Sequence, residues 1–99
     1  MIRNGMRPIH PGEILREEYL EPLEMSVNAL ANALHVPATR MNEIVRGNRG
    51  VSADTALRLA RYFGTSARFW LNLQTEFELR QAEVEKAAKI AKEIQPRAA

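Results

Sequence analysis

Thr39, Arg40, Asn42 and Glu43 stand together in the stretch HVPATRMNEIVRGNRG, residues 35 to 50. Each is a hydrogen-bonding residue that matches a base edge. Arginine forks onto guanine, asparagine onto adenine, glutamate accepts from cytosine, and threonine touches a thymine methyl. Ala38, just before them, is small enough to let a helix approach a groove. Ser26, Asn28, Arg46, Asn48, Arg49 and Ser52 lie around this group. At helix starts and in the following loop, such residues hold phosphates and fix register without reading sequence. The same residues have a plainer account. Ser26 and Ser52 would also serve as caps, and Arg46 as a cation at a helix C-terminus.

Two helices must position this group. Val36, Met41, Ile44 and Val45 give the stretch one apolar stripe, opening at Pro37 and stopping at Gly47. So short a helix needs a partner. Upstream, Ser26 is a good N-cap for a helix in which Val27, Leu30, Ala31 and Leu34 recur at helical spacing. Only His35 and Val36 separate the two, the short connection of a helix-turn-helix. Ala31 falls where the helices cross, while Val36, Met41 and Ile44 plug the angle between them. The turn requires positive φ at one residue. His35 stands there, and histidine tolerates that region better than most residues.

Three more helices are expected around the pair. His10-Pro11 opens the first, with Ile14, Leu15, Tyr19 and Leu20 as its apolar stripe and Glu21-Pro22 as its end. Ser52 or Asp54 caps the fourth, with Ala56, Leu57, Ala60 and Phe63 inward and Gly64 at its end. Thr65 or Ser66 caps the fifth, running from Arg68 towards Ile90 or beyond. With no strand signals, the chain reads as an all-α fold of five helices with a long C-terminal one.

Charge is unevenly placed. The 99 residues carry a net charge of only +2 and no cysteine. Residues 13 to 24 hold five glutamates against Arg16, whereas residues 40 to 68 hold six arginines against Glu43 and Asp54. An arginine-only basic middle suits phosphate and guanine, although a solvated surface would have the same composition. Absent cysteine fits a reducing compartment. No apolar run approaches a membrane span and no secretion signal is expected, so the reading is cytoplasmic.

Enzyme chemistry finds little to work with. His10 and His35 are the only histidines and form no metal-ligand spacing, so neither a metal site nor a cofactor is expected. They read as a cap and a turn residue. Glu17 and Glu21 share a helix face, but nothing apolar flanks them to raise a pKa. GNRG lacks the ending of a P-loop. The expectation is a protein without catalytic activity.

Beyond the helix pair, HPGEIL at residues 10 to 15, RGNRGVSADTALRLARYFGTS at 46 to 66 and FWLNLQ at 69 to 74 complete a longer pattern. It resembles the HigA family of antitoxins (VapI-like), within the Xre/Cro-like, or lambda repressor-like, helix-turn-helix superfamily. The resemblance covers roughly residues 7 to 80. It departs from the superfamily at Val27, where a glutamine often bonds DNA backbone, so that role passes to Ser26 or Asn28. It implies a homodimer that binds double-stranded operator DNA, represses its own operon and neutralises a HigB-type toxin, an mRNA endonuclease. A stand-alone repressor of phage or plasmid type, or a helical protein-interaction module, would share the sequence pattern.

Dimerisation directs attention to the fifth helix. Phe69, Trp70, Leu73 and Phe77 make an apolar stripe that serves either a two-fold partner or the protomer's own core. The expected division puts Phe69 and Leu73 mostly inward and Trp70 and Phe77 nearer the partner, and the expected dimer interface takes in Trp70, Leu73 and Phe77. Residues 1–9 read as an N-terminal arm and 10–80 as the DNA-binding domain, its helix-turn-helix at about 26–46. Residues 81–99 read as a helical extension that frays after Pro96.

Overall fold

A computed structural model describes residues 7–98. Five helices and no strand occur among them. The first is composite: α-helical over Pro11–Leu15, π-helical over Arg16–Leu20 and α-helical again over Glu21–Leu23. The second spans Val27–Leu34, the third Ala38–Val45, the fourth Ala53–Phe63 and the fifth Ala67–Glu93.

The first helix passes through Pro22 instead of ending there. The Glu21 N–H donates to the Arg16 carbonyl, one residue further back than in an α-helix. This widened turn makes room for a proline ring that would otherwise press on the preceding turn. The helix closes at Glu24, whose φ of 52° permits the paired bonds Glu24 N–H to Glu21 O and Met25 N–H to Leu20 O. Sequence reasoning marked the proline as the stop and missed the left-handed glutamate.

The other boundaries follow their capping residues. Ser26, Ser52 and Ser66 each accept a backbone N–H three residues on, from Ala29, Thr55 and Phe69. Gly47 and Gly64 end the third and fourth helices at φ 82° and 73°. His35 occupies the left-handed turn position at φ 59°, as its place between the helices demands.

The core gathers Leu15, Leu20, Leu30, Ala31, Leu34, Met41, Ile44, Val51, Ala56, Leu59 and Trp70. Ala31, 1% exposed, lies in that core as the crossing requires. Two inward assignments change. Leu57 is 63% exposed, while Leu59, unassigned from the sequence, is fully buried. On the fifth helix Trp70 is 0% exposed and Phe69 37%, the reverse of the expected division. The indole fills the protomer's own core against Tyr19 and Phe63 and donates from Nε1 to Thr65 Oγ1 at 2.8 Å. One step along a helix turns a side chain by about 100°. Burial of Trp70 and Gln74 therefore swings Phe69 outward. Leu73 and Phe77 are half-buried.

His10 caps the first helix and ties it to the fifth. Its Nδ1 accepts the Gly12 N–H at 2.8 Å, and its ring meets the edge of Phe77 at 4.8 Å. Burial is the main cause that lowers its pKa below the ordinary 6.5, against smaller opposing effects of the Arg49 backbone and Glu13. The unfolded chain therefore takes the proton first. The His10 contribution to stability is complete above about pH 6.5 and declines as the pH falls below it. Urea midpoints at pH 7.5 and 5.5 check this. His10→Asn keeps an oxygen for the cap but has no ring to titrate, so the midpoint should drop less between the two pH values than in the parent. An equal drop in both proteins would show that His10 does not govern this range.

Candidate nucleic-acid interface

The third helix presents its N-terminal end outward. Pro37 precedes it in extended conformation, and Pro37, Ala38 and Thr39 are exposed. Met41 and Ile44 on the opposite side are completely buried. The face expected to meet a groove is thus set by its apolar counterpart.

The remaining groups sort into three arrangements. Asn42 turns back to the second helix, its Nδ2 donating to Asn28 Oδ1 at 3.1 Å and to the Ala38 carbonyl at 2.9 Å. A residue expected on bases and one expected on phosphate are joined across the helix angle. Glu43 Oε1 accepts Arg49 Nε at 2.8 Å, so this second pair is joined as well. Arg46 is exposed and donates from Nε to the Asn42 carbonyl at 3.3 Å. Asn48 is exposed in the turn after the helix, where its N–H donates to the Glu43 carbonyl. The exposed Ser26 and Ser52 sit at the starts of the second and fourth helices.

The third arrangement centres on Asp54, to which the sequence assigned at most a cap. Its Oδ2 accepts Arg40 Nη1 at 2.9 Å and Arg58 Nε at 3.0 Å. The guanidiniums of Arg58 and then Arg40 hold its carboxyl below the usual carboxylate range. Arg58 also donates through Nη1 to the Leu34 carbonyl at 2.9 Å, at the end of the second helix. A polar chain thus runs from the helix-turn-helix turn through Arg58 and Asp54 to Arg40 on the third helix. The i,i+4 spacing of Asp54 and Arg58 could have revealed its second half. Nothing in the sequence indicated the half that crosses to Arg40.

Two further supports escaped the sequence reading. Gln74 on the fifth helix is 8% exposed and accepts the Val51 N–H at 2.8 Å, anchoring the loop that carries Asn48 and Arg49. Gly12 lets the first helix lie against the third: a Cβ there would overlap the Ile44 carbonyl oxygen and lie 2.7 Å from its carbon. No helix among the described residues is long and apolar enough to cross a membrane.

Comparison with known proteins places this arrangement. The helix-turn-helix family matches residues 17–70. Virulence-associated protein I of Dichelobacter nodosus is 62% identical over 84 residues, covering 85% of this chain and 78% of that protein. The structure of Pseudomonas aeruginosa antitoxin HigA with the higBA promoter superimposes at a TM-score of 0.90 with 54% identity, covering 93% of this chain and all (100%) of that one. An addiction module antidote protein of the HigA family from Coxiella burnetii superimposes at 0.88 with 50% identity, covering 93% of this chain and 100% of that one. With a helix-turn-helix match over residues 17–70 and half or more of its residues shared with HigA antitoxins that superimpose across 93% of its length, the chain belongs to the HigA family of helix-turn-helix antitoxins.

Proposed function

We propose that this chain is the antitoxin of a HigBA-type module, a homodimer that binds its operator, represses its own operon and neutralises a HigB-type mRNA endonuclease. The observation that carries the reading is the exposed N-terminal end of the third helix, flanked by arginines, in a fold that matches a promoter-associated relative. Ala38, Thr39 and Arg40 are the first candidates for base contact. Asn42 and Glu43 are already engaged within the protein, Asn42 through its amide nitrogen and Glu43 through one carboxylate oxygen, and they rank behind these three as base contacts. Ser26, Asn28, Arg46, Asn48, Arg49 and Ser52 take the phosphate role. Phe69, exposed beside Leu73 and Phe77, takes the place that Trp70 had in the expected dimer contact. The chain has no catalytic role in this reading, and its place is the cytoplasm with its DNA and toxin.

The module is tested by expressing the small open reading frame next to this one under tight control, with and without this chain. Growth arrest that the chain relieves, with co-purification of the two, is expected. No arrest and no association would leave a stand-alone repressor.

DNA binding has its own test. Phosphate contacts make log affinity fall with log salt by about 0.9 per phosphate neutralised. A steep slope is expected on the operator, and a flat one would favour a protein-interaction module. Arg40→Ala should weaken operator binding by roughly 1–3 kcal/mol and flatten preference at one base pair. Equal losses on operator and random DNA would make Arg40 a phosphate contact.

A further inference from the structure

Arg40 is held by one edge only. Its Nη1 is bonded to Asp54 Oδ2, while the edge formed by Nε and Nη2 has no hydrogen bond to the described residues. That second edge is a fork of two donors, spaced to meet the two acceptors of a guanine. A long arginine side chain that hunts among rotamers loses side-chain entropy when it binds, and it can settle on a phosphate as readily as on a base. The Asp54 tether removes much of that choice. The side chain of Arg40 is only 28% exposed, which fits a guanidinium laid against the protein surface.

Asp54 is itself held in place. It sits in the first turn of the fourth helix, where a carboxylate is favoured, and Arg58 binds the same oxygen from one turn further on. Arg58 is secured in turn by the Leu34 and His35 carbonyls, at 2.9 and 3.5 Å. The carboxylate therefore has a rigid backing that reaches the helix-turn-helix turn. Its negative charge faces two arginines, so the cluster as a whole stays cationic towards DNA.

We propose that Asp54 is a positioning residue for sequence recognition, which fixes Arg40 so that its outer edge reads one guanine of the operator. The inference rests on the DNA-binding reading above and adds to it the source of discrimination. Loss of the carboxylate gives a distinctive signature. It removes a negative charge from a DNA-facing surface, so affinity for random DNA rises. It also frees Arg40, so selectivity at one base pair falls. A residue that merely stabilised the fold would lower both affinities together.

The experiment measures binding of the full-length parent, Arg40→Ala, Asp54→Asn and the double variant. The probes are operator DNA, operators with single base pairs changed, and random duplex. Asp54→Asn is close to isosteric, and circular dichroism verifies its helical content. Asp54→Glu tests rescue by a carboxylate. The expected result is a roughly ten-fold loss of discrimination in Asp54→Asn, at the base pair that Arg40→Ala also affects. The double variant should lose no more than Arg40→Ala alone, and Asp54→Glu should recover part of the loss. Unchanged discrimination in a folded Asp54→Asn would overturn the inference while leaving Arg40 as a base reader. Additive losses would overturn it too, since the two residues would then act independently. Failure of the parent to prefer its operator would refute the DNA-binding reading itself, and the inference with it.

Discussion

Gly12→Ala is expected to destabilise the protein by roughly 3 kcal/mol, the upper part of the range for overpacking. The added methyl would overlap the Ile44 carbonyl oxygen, and it would stand 2.7 Å from the carbonyl carbon and 3.0 Å from Val45 Cα. All three atoms are backbone, so no rotamer change relieves the contact. The first helix must move away from the third. That movement also strains the His10 cap, whose acceptor bonds the Gly12 N–H itself. Since the third helix carries the candidate base readers, operator affinity should fall in the variant even where it remains folded. Urea denaturation and operator binding below the transition measure the two effects separately. An unchanged midpoint would mean that the two helices can part without cost, and that their close approach does not hold the third helix in place.

Trp70→Ala is expected to cost roughly 3–5 kcal/mol, as removal of a fully buried large aromatic does. The indole is 0% exposed, lies 5.2 Å from the Tyr19 ring and 6.4 Å from the Phe63 ring, and satisfies its N–H on Thr65. The variant loses that packing and leaves Thr65 without its donor. Because the contacts are within one protomer, the loss should not depend on protein concentration. Denaturation at two concentrations a hundred-fold apart decides the matter. If raising the concentration restored the midpoint, Trp70 would belong to the contact between copies. For Phe69→Ser the expectation is the opposite: a small effect on the protomer's stability and a shift of the dimer towards monomer in sedimentation. The sequence stripe had offered Trp70 and Phe69 in exchanged roles.

The fifth helix outruns its support. Every described residue beyond Arg80 is exposed, although the helix continues to Glu93. Val84 and Ile90 are apolar side chains left outward there, and Leu79 just before this segment is exposed too. The acidic first helix leaves Glu17, Glu18, Glu21 and Glu24 exposed on another part of the surface. Neither region contains a candidate DNA-contacting residue.

What the sequence determined by itself was the local grammar. Serines at helix starts and glycines at helix ends act over a few neighbouring residues, and Ser26, Gly47 and Gly64 stand at the boundaries expected of them, whereas Pro22 does not end its helix. The short link at His35 likewise specified the turn, since only a left-handed residue lets the two helices meet. The composition of the third helix named its candidate readers, because its polar side chains lie opposite a buried stripe. Tertiary structure decided whatever depended on the phase of one helix against another. It chose Trp70 over Phe69 for the core, because Gln74 and Trp70 share the face that meets the loop and the fourth helix. It revealed why Gly12 must lack a side chain, because the obstacle is a carbonyl more than thirty residues away. It joined Arg40 to Asp54, fourteen residues apart, through a crossing that no periodicity encodes. Short-range hydrogen bonds and spacing are written along the chain, whereas rotational phase and cross-helix pairing exist only after the helices have packed.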